Sequence, residues 1–398
     1  MGRIVHFGLG NFARAHLLDY TADAGGWDVV GVSLRSAAIR DGLAAQGFVY
    51  DLCVQGVGVK RINVLRDVLV AAEKPQAVLD AMAKADIISA TVTEKGYHLD
   101  AEGILDLEDP AILADLAGQG PGTLIGFLAH GLVGRDRPVT VMSCDNRVEN
   151  GAVLRAAVAR FAKATDLEID WSKTRFPNAM VDRITPATTD AVRAISGDQM
   201  AVPTEAFREW VIEDDFAGPR PDWPEVQFVT DVAPHELRKL RILNGAHSLM
   251  AYAGLVQGHT YVHEAVGDPA LRGLVEQLMQ EAGATLPEQV GGQVPAYAKA
   301  LLARFENPEL AHRLDQIAMD GSQKVPYRFV GTLREVKAEA VLEGLRAWVG
   351  FCISESARGK VLNDPKAAEI AEAAQSDTPE EQLLTLVGAA DLVPLIRG

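Results

Sequence analysis

Residues 235–247 read HELRKLRILNGAH, and Glu236, Lys239, Asn244 and His247 within them are of types that can move protons or hold an oxygen. At about 100° per helical residue with Lys239 at zero, Glu236 falls near 60°, His247 near 80° and Asn244 near 140°. Leu240 and Leu243 share that arc. Surface helices keep polar and apolar groups on separate faces. Ionisable groups on an apolar stripe either pair in a core or line a pocket. Burial lowers a lysine pKa, which makes Lys239 a candidate general base. Asn244 can donate to a developing alkoxide or carbonyl oxygen. His247 can hold a substrate hydroxyl, and Glu236, one turn from Lys239, can pass its proton to solvent. A structural network in which Glu236 simply pairs with Lys239 explains the helix equally well.

A second constellation opens the chain. Gly8-Leu9-Gly10-Asn11-Phe12-Ala13 fits the GxGxx[GA] pattern, after a strand-like run and at the start of a helical one. The first glycine allows a tight turn, the second lets backbone approach a pyrophosphate, and Ala13 permits close helix–strand packing. The helix start supplies N–H groups for the phosphates. An acid after the second strand would favour NAD by accepting from the ribose 2′-hydroxyl. The stretch here is Ser33-Leu34-Arg35-Ser36, with no acid before Asp41. Arg35 and Ser36 could accept a 2′-phosphate, or Arg35 could merely solvate the strand end, so the choice between NAD and NADP stays open.

The elements that must position these groups follow a β-α-β rhythm over the first two hundred residues. Strand-like runs cover 3–7, 28–34, 86–93 and 138–144; helical patterns cover 13–24, 36–46, 110–118, 122–131 and 152–163. That alternation predicts a Rossmann-like, doubly wound parallel sheet. After the irregular, acidic stretch 213–224, helical periods dominate: 236–255, 263–284, 294–305, 308–320, 325–349 and 366–375. The expectation is an α/β chain with a dinucleotide-binding domain over 1–230 and a mainly helical substrate and catalytic domain over 231–398.

Composition narrows the function. With 38 Lys+Arg against 54 Asp+Glu, the 398-residue chain carries a formal charge of −16. It lacks the basic footprint of a nucleic-acid or anionic-membrane binder. Cys53, Cys144 and Cys352 are far apart, with neither CxxC nor a Cys/His cluster, so no disulfide framework or zinc site is indicated. No apolar run is long enough for a membrane span. Free thiols and a strand-like start without a signal peptide lead to the expectation of a cytoplasmic protein. None of the seven tyrosines has a lysine four residues on, which excludes the YxxxK mechanism. An NAD(P)-sensing protein would keep the Gly-rich turn without needing Lys239, Asn244 and His247 together.

Six stretches in order carry a resemblance: 8–16 (GLGNFARAH), 91–97 (TVTEKGY), 143–146 (SCDN), 180–188 (MVDRITPAT), 239–248 (KLRILNGAHS) and 320–324 (DGSQK). Together they resemble the polyol-specific long-chain dehydrogenase (mannitol dehydrogenase) family. The resemblance implies a metal-independent, NAD(P)-dependent enzyme that interconverts a sugar alcohol and its ketose, with Lys239 as the base. It implies that Asn146 and Asn244 polarise the reacting oxygen, that His247 holds a substrate oxygen, and that Asp182, Lys324 and Arg241 lie at the substrate. Gly8, Gly10, Asn11, Phe12, Ala13, Arg35, Ser36, Thr93 and Glu94 fall on the cofactor side. Other branches of the family reduce hexuronates or act on mannitol 1-phosphate. An arginine that often precedes the DGSxK lysine by two turns is Gln316 here, with Arg313 nearby. The expected partner is a small polyol or ketose, and the expected state is a monomer or small homo-oligomer.

Overall fold

The computed structural model describes residues 1–100, 102–118 and 120–397, with the side chain of Glu94 outside the described set. The chain divides into two compact units, Met1–Ala233 and Pro234–Gly398.

The first unit is organised by a six-stranded sheet in which every pairing is parallel. Its strands are β1 (Gly2–Phe7), β2 (Trp27–Ser33), β5 (Leu65–Val70), β6 (Ile87–Ala90), β7 (Val139–Ser143) and β8 (Thr174–Arg175), in the order β5-β2-β1-β6-β7-β8. β6 and β7 are buried at every residue, as expected of strands covered on both faces. The order reverses between β1 and β6, which makes the carboxyl ends of these two strands the switch point where open α/β sheets bind ligands. Gly8 sits there, directly after β1.

Two small sheets complete the unit. β3 (Tyr50–Val54) pairs with β4 (Gly58–Ile62) and with β10 (Val202–Thr204); β11 (Glu209–Glu213) joins β9 (Ala179–Asp182) to β12 (Gln227–Val229). The expected helix over 13–24 is in fact two, Asn11–Ala15 and Leu17–Ala24. They break at His16, whose fully buried ring stacks on Phe12 and meets Tyr20 and Trp210 edge-on.

The second unit is helical around one large apolar core. Its central element runs from Ala233–Arg238 through Lys239–Asn244 to Gly245–Gln257, and Glu339–Ala357 packs against its last part. The helix expected over 263–284 is divided by Asp268-Pro269: Pro269 starts a new helix, and the Asp268 carboxylate accepts from the N–H groups of Ala270 and Leu271. The pattern over 325–349 is also divided, because Val336 takes an extended conformation between Gly331–Glu335 and Glu339–Ala357. No helix among the described residues is long and apolar enough to cross a membrane.

Candidate active site

In the first unit the quoted motifs meet at the carboxyl edge of the parallel sheet. Gly8 has φ +86, and a Cβ there would lie 2.0 Å from the Thr91 carbonyl oxygen. The Thr91 hydroxyl donates to the Gly8 carbonyl at 2.7 Å, and His6 spans Ser89 and Thr91 with its two ring nitrogens. Burial holds the His6 ring neutral, its pKa drawn down to about 4. Gly10 differs from Gly8: a Cβ there would have only the Gly8 carbonyl oxygen near it, at 4.0 Å. Protein therefore fills the space at Gly8 and leaves it open at Gly10. That is the cradle a pyrophosphate needs, so the turn fits a dinucleotide.

Asn11 does not face that cradle alone. Its amide donates to the Pro186 carbonyl (3.3 Å) and the Thr188 hydroxyl (3.1 Å) of the MVDRITPAT stretch and accepts from Arg14 at 2.6 Å. Ala13 is buried, and Phe12 lies against His16. Thr93 adopts φ +64, and its N–H donates to the Asp145 carboxylate at 2.9 Å. Of the expected cofactor residues, Arg35 and Ser36 follow β2 and are exposed.

Asn146 is exposed just past the end of β7. Its neighbour Asp145 is buried and was not anticipated. Its carboxylate accepts from the N–H groups of Val92 and Thr93 and from the Tyr97 hydroxyl at 3.0 Å, tying SCDN to TVTEKGY. Asn150 then joins the same loop to β9, donating to the carbonyls of Asp145 and Ala179. The signal was available, since Asp145 and Tyr97 lie inside the quoted motifs. Asp182 is buried at the end of β9. The adjacent Arg183 pairs with Asp19 at 2.6 Å.

In the second unit, Lys239–Asn244 is a π-helical segment inside an otherwise α-helical element. Its hydrogen bonds run i→i+5, so the even 100° step does not hold across it. Such insertions are rare and recur at functional sites. Lys239 opens the segment at 8% exposure, Asn244 closes it half-buried, and Glu236 precedes it half-buried. A second π segment, Pro326–Val330, packs against the first. From it the Arg328 guanidinium donates to the Ser248 hydroxyl (2.7 Å) and the Asn244 carbonyl (3.4 Å). Arg328 was also missed; it lies one turn beyond the DGSQK stretch, with no pattern of its own.

His247 lies one turn after Asn244, its ring 4.7 Å from Phe305 and 5.3 Å, edge-on, from His312. Its Nε2 is buried with no protein partner among the described residues. Burial, reinforced by His312, Arg304, Arg328 and Lys239, holds its pKa well below the usual histidine value. The ring is therefore neutral at neutral pH, with one nitrogen available to a ligand hydroxyl.

Two expected substrate residues, Arg241 and Lys324, also have protein partners. Arg241 forks onto Glu335, one arm at 2.8 Å, and also donates to the Thr285 hydroxyl at 2.6 Å. Lys324 donates to the Met319 carbonyl at 2.6 Å and to that of Ile317 at 3.4 Å. The turn before it is fixed by tight packing: Asp320 has φ +56, and a Cβ on Gly321 would lie 2.6 Å from the Trp348 indole nitrogen. No group of three His, Cys, Asp or Glu side chains is placed to hold a metal among the described residues.

Comparison with known proteins gives a consistent answer across both units. Residues 2–225 match the mannitol dehydrogenase Rossmann domain, and residues 231–391 match the mannitol dehydrogenase C-terminal domain. A mannitol 2-dehydrogenase of Phaeosphaeria nodorum is 38% identical over 408 residues, covering 92% of this chain and 72% of that one. A D-mannonate oxidoreductase of Escherichia coli is 38% identical over 406 residues, covering 92% and 84%. The mannitol 2-dehydrogenase of Pseudomonas fluorescens, solved as a ternary complex with NAD and D-mannitol, superposes with a TM-score of 0.83 at 32% identity, over 98% of this chain and 90% of that one. With a Gly-rich switch-point turn in one unit, the KLRILNGAH element in the other and a match to both domains, the chain belongs to the mannitol dehydrogenase family.

Proposed function

We propose that this protein interconverts a sugar alcohol and its ketose by hydride transfer with a nicotinamide dinucleotide, using Lys239 as the general acid–base. The observation that carries this reading is the π-helical turn. It buries the ammonium-bearing Lys239 beside the apolar core, and it keeps Asn244 and His247 on the next turns of the same element. A helix holding these groups only for stability has no need of an inserted residue or of Arg328 closing it from a second π segment.

The residues that would hold the dinucleotide are the 8–13 turn and Thr93, with Arg35 and Ser36 toward the adenosine. When bound, the nicotinamide supplies the hydride acceptor for oxidation and the donor for reduction. The chain's residues do the rest. In oxidation, Lys239 Nζ takes the hydroxyl proton as the carbinol becomes a carbonyl; in reduction, it returns that proton to the oxygen. The Asn244 amide donates to the oxygen throughout, a contact that strengthens as negative charge develops. Asn146, exposed past the carboxyl end of β7, is assigned by the family resemblance to oxygen polarisation. His247, neutral and with Nε2 open, accepts from or donates to a second hydroxyl. Glu236 carries the proton onward to solvent, and Asp182 and Lys324 are assigned to the rest of the polyol chain.

A neutral polyol suits the net charge of −16 better than a uronate does, since the overall field opposes anions. Hexuronate reduction is the second reading. It draws on the equal similarity to a D-mannonate oxidoreductase and on the two arginines, Arg304 and Arg328, whose charges act on His247. NAD(P)H absorbance with hexitols, pentitols, aldonates and hexitol phosphates separates the readings. Turnover confined to neutral polyols and ketoses supports the first, turnover confined to aldonates and uronates the second, and cofactor binding without any turnover contradicts both.

A further inference from the structure

Resting on the assignment of the 8–13 turn to a nicotinamide dinucleotide, we infer that the end of β2 is built for a ribose 2′-phosphate, so that the protein takes NADP(H) in preference to NAD(H). β1 and β2 are neighbours in parallel register, and the Gly8 N–H donates to the Val32 carbonyl at 2.9 Å. The chain leaving β2 therefore emerges beside the Gly-rich turn, where the adenosine ribose of a dinucleotide lies in this fold. An acid there would bind the 2′-hydroxyl and repel a 2′-phosphate; this chain has Ser33-Leu34-Arg35-Ser36.

The turn is shaped in advance. The Ser33 hydroxyl donates to the Ser36 carbonyl at 2.6 Å, and the Ser36 hydroxyl oxygen accepts from the Ala38 N–H at 3.2 Å. Arg35 is held between them, exposed, and no hydrogen bond or ion pair engages its guanidinium among the described residues. The Ser36 hydroxyl retains its own proton to donate. On the other side, the N–H groups of Ala71 and Ala72 donate to the carbonyls of Ser33 and Leu34, bringing the 71–74 turn and its exposed Lys74 alongside. The nearby acids are Asp41 and Glu73, and Arg40 pairs with both.

The neighbourhood thus holds three cations, Arg35, Arg40 and Lys74, against two acids, Asp41 and Glu73, and is locally positive in a chain with 16 more acids than bases. A ribose diol has no charge for them to meet. A 2′-phosphate brings a charge of about −1.5 to −2 and the oxygen geometry that a guanidinium fork matches.

The test is fluorescence titration of the purified full-length protein with NADPH and NADH, with 2′,5′-ADP and 5′-AMP as competitors. The wild type is expected to bind NADPH at least about tenfold more tightly than NADH, and 2′,5′-ADP is expected to displace it better than 5′-AMP. Arg35→Ala is expected to weaken NADPH by about 10- to 100-fold and NADH at least about fivefold less than that, and Arg35→Glu to invert the preference. Arg35 is exposed, so unchanged thermal melting confirms that each variant is folded. Equal or tighter binding of NADH by the wild type, or equal weakening of both cofactors in Arg35→Ala, overturns the inference and leaves the dinucleotide reading standing. Binding of neither cofactor overturns both.

Discussion

The two turns that carry the proposed chemistry are built on opposite plans. At Gly8 the working groups are backbone atoms, and Thr91 packs so closely that only a glycine fits. At Lys239 the working groups are side chains, and the backbone itself is distorted by a π turn to aim them. The first site tolerates almost no added atom where protein fills the space, and admits one at Gly10 where it does not. The second should tolerate changes of shape and fail when a functional group is removed. A site made of main chain is thus guarded by sterics, and a site made of side chains by chemistry.

Gly8→Val should break the first site outright. It places carbon against the Thr91 carbonyl at a φ that β-branched residues avoid, so cofactor binding is expected to vanish and the melting temperature to fall. Gly10→Ala sharpens the contrast. The protein has room for the methyl group, so stability should stay within about 0.5 kcal/mol while cofactor affinity drops at least about tenfold. Unchanged affinity in that variant would remove the close backbone approach from the account.

On the other side, Asn244→Ala is expected to cost about 100-fold in kcat with cofactor affinity retained. Steady-state kinetics set beside a fluorescence titration checks this, and a change in affinity alone would place Asn244 outside the reaction. Arg328→Met leaves the Ser248 hydroxyl and the Asn244 carbonyl without their donor. About a tenfold loss of kcat and about 1–3 kcal/mol of stability are expected from kinetics and urea unfolding.

One effect is common to both units. His6 and His16 in the first, and His247 and His312 in the second, are held neutral by burial, with His6 drawn down to about 4 and His16 to about 3. Above pH 6.5 the folded and unfolded rings are both neutral and contribute nothing. Below it the unfolded chain takes up protons that the folded chain refuses, so stability falls as pH drops. Each ring should cost about 1.4 kcal/mol per pH unit until its own folded pKa is reached. Urea midpoints at pH 7 and pH 5 measure this; equal midpoints would contradict it.

These plans also explain what could be read from the sequence. The 8–13 turn was legible because a backbone site is specified by local residue type: glycine where φ is positive, a small residue where helix meets strand. Strands β1, β2, β6 and β7 were legible as continuous apolar runs. The hairpin of β3 and β4 drew no reading, since GVKRI carries two adjacent charges and is mostly exposed. The proposed catalytic residues of the second site were visible as types, but their geometry was not. KLRILN carries no local mark of a π turn, so an even helical wheel sets its angles wrongly. The ion pair of Arg241 was hidden for a related reason: its partner Glu335 is 94 residues away, and only the fold brings it close. Asp145 was overlooked beside Asn146 because a buried acid that organises N–H groups looks the same in sequence as one that meets a ligand.

The central claim is that Lys239 is the base, and the most direct test is amine rescue of Lys239→Ala in single-turnover oxidation of the best polyol. The variant is expected to bind cofactor normally and to lose about 10²- to 10⁴-fold in rate. Small primary amines should restore part of that rate, saturably and with rates that rise with amine basicity. Near-normal turnover in the variant, or a slow rate that no amine raises while cofactor and polyol are bound, would contradict the account.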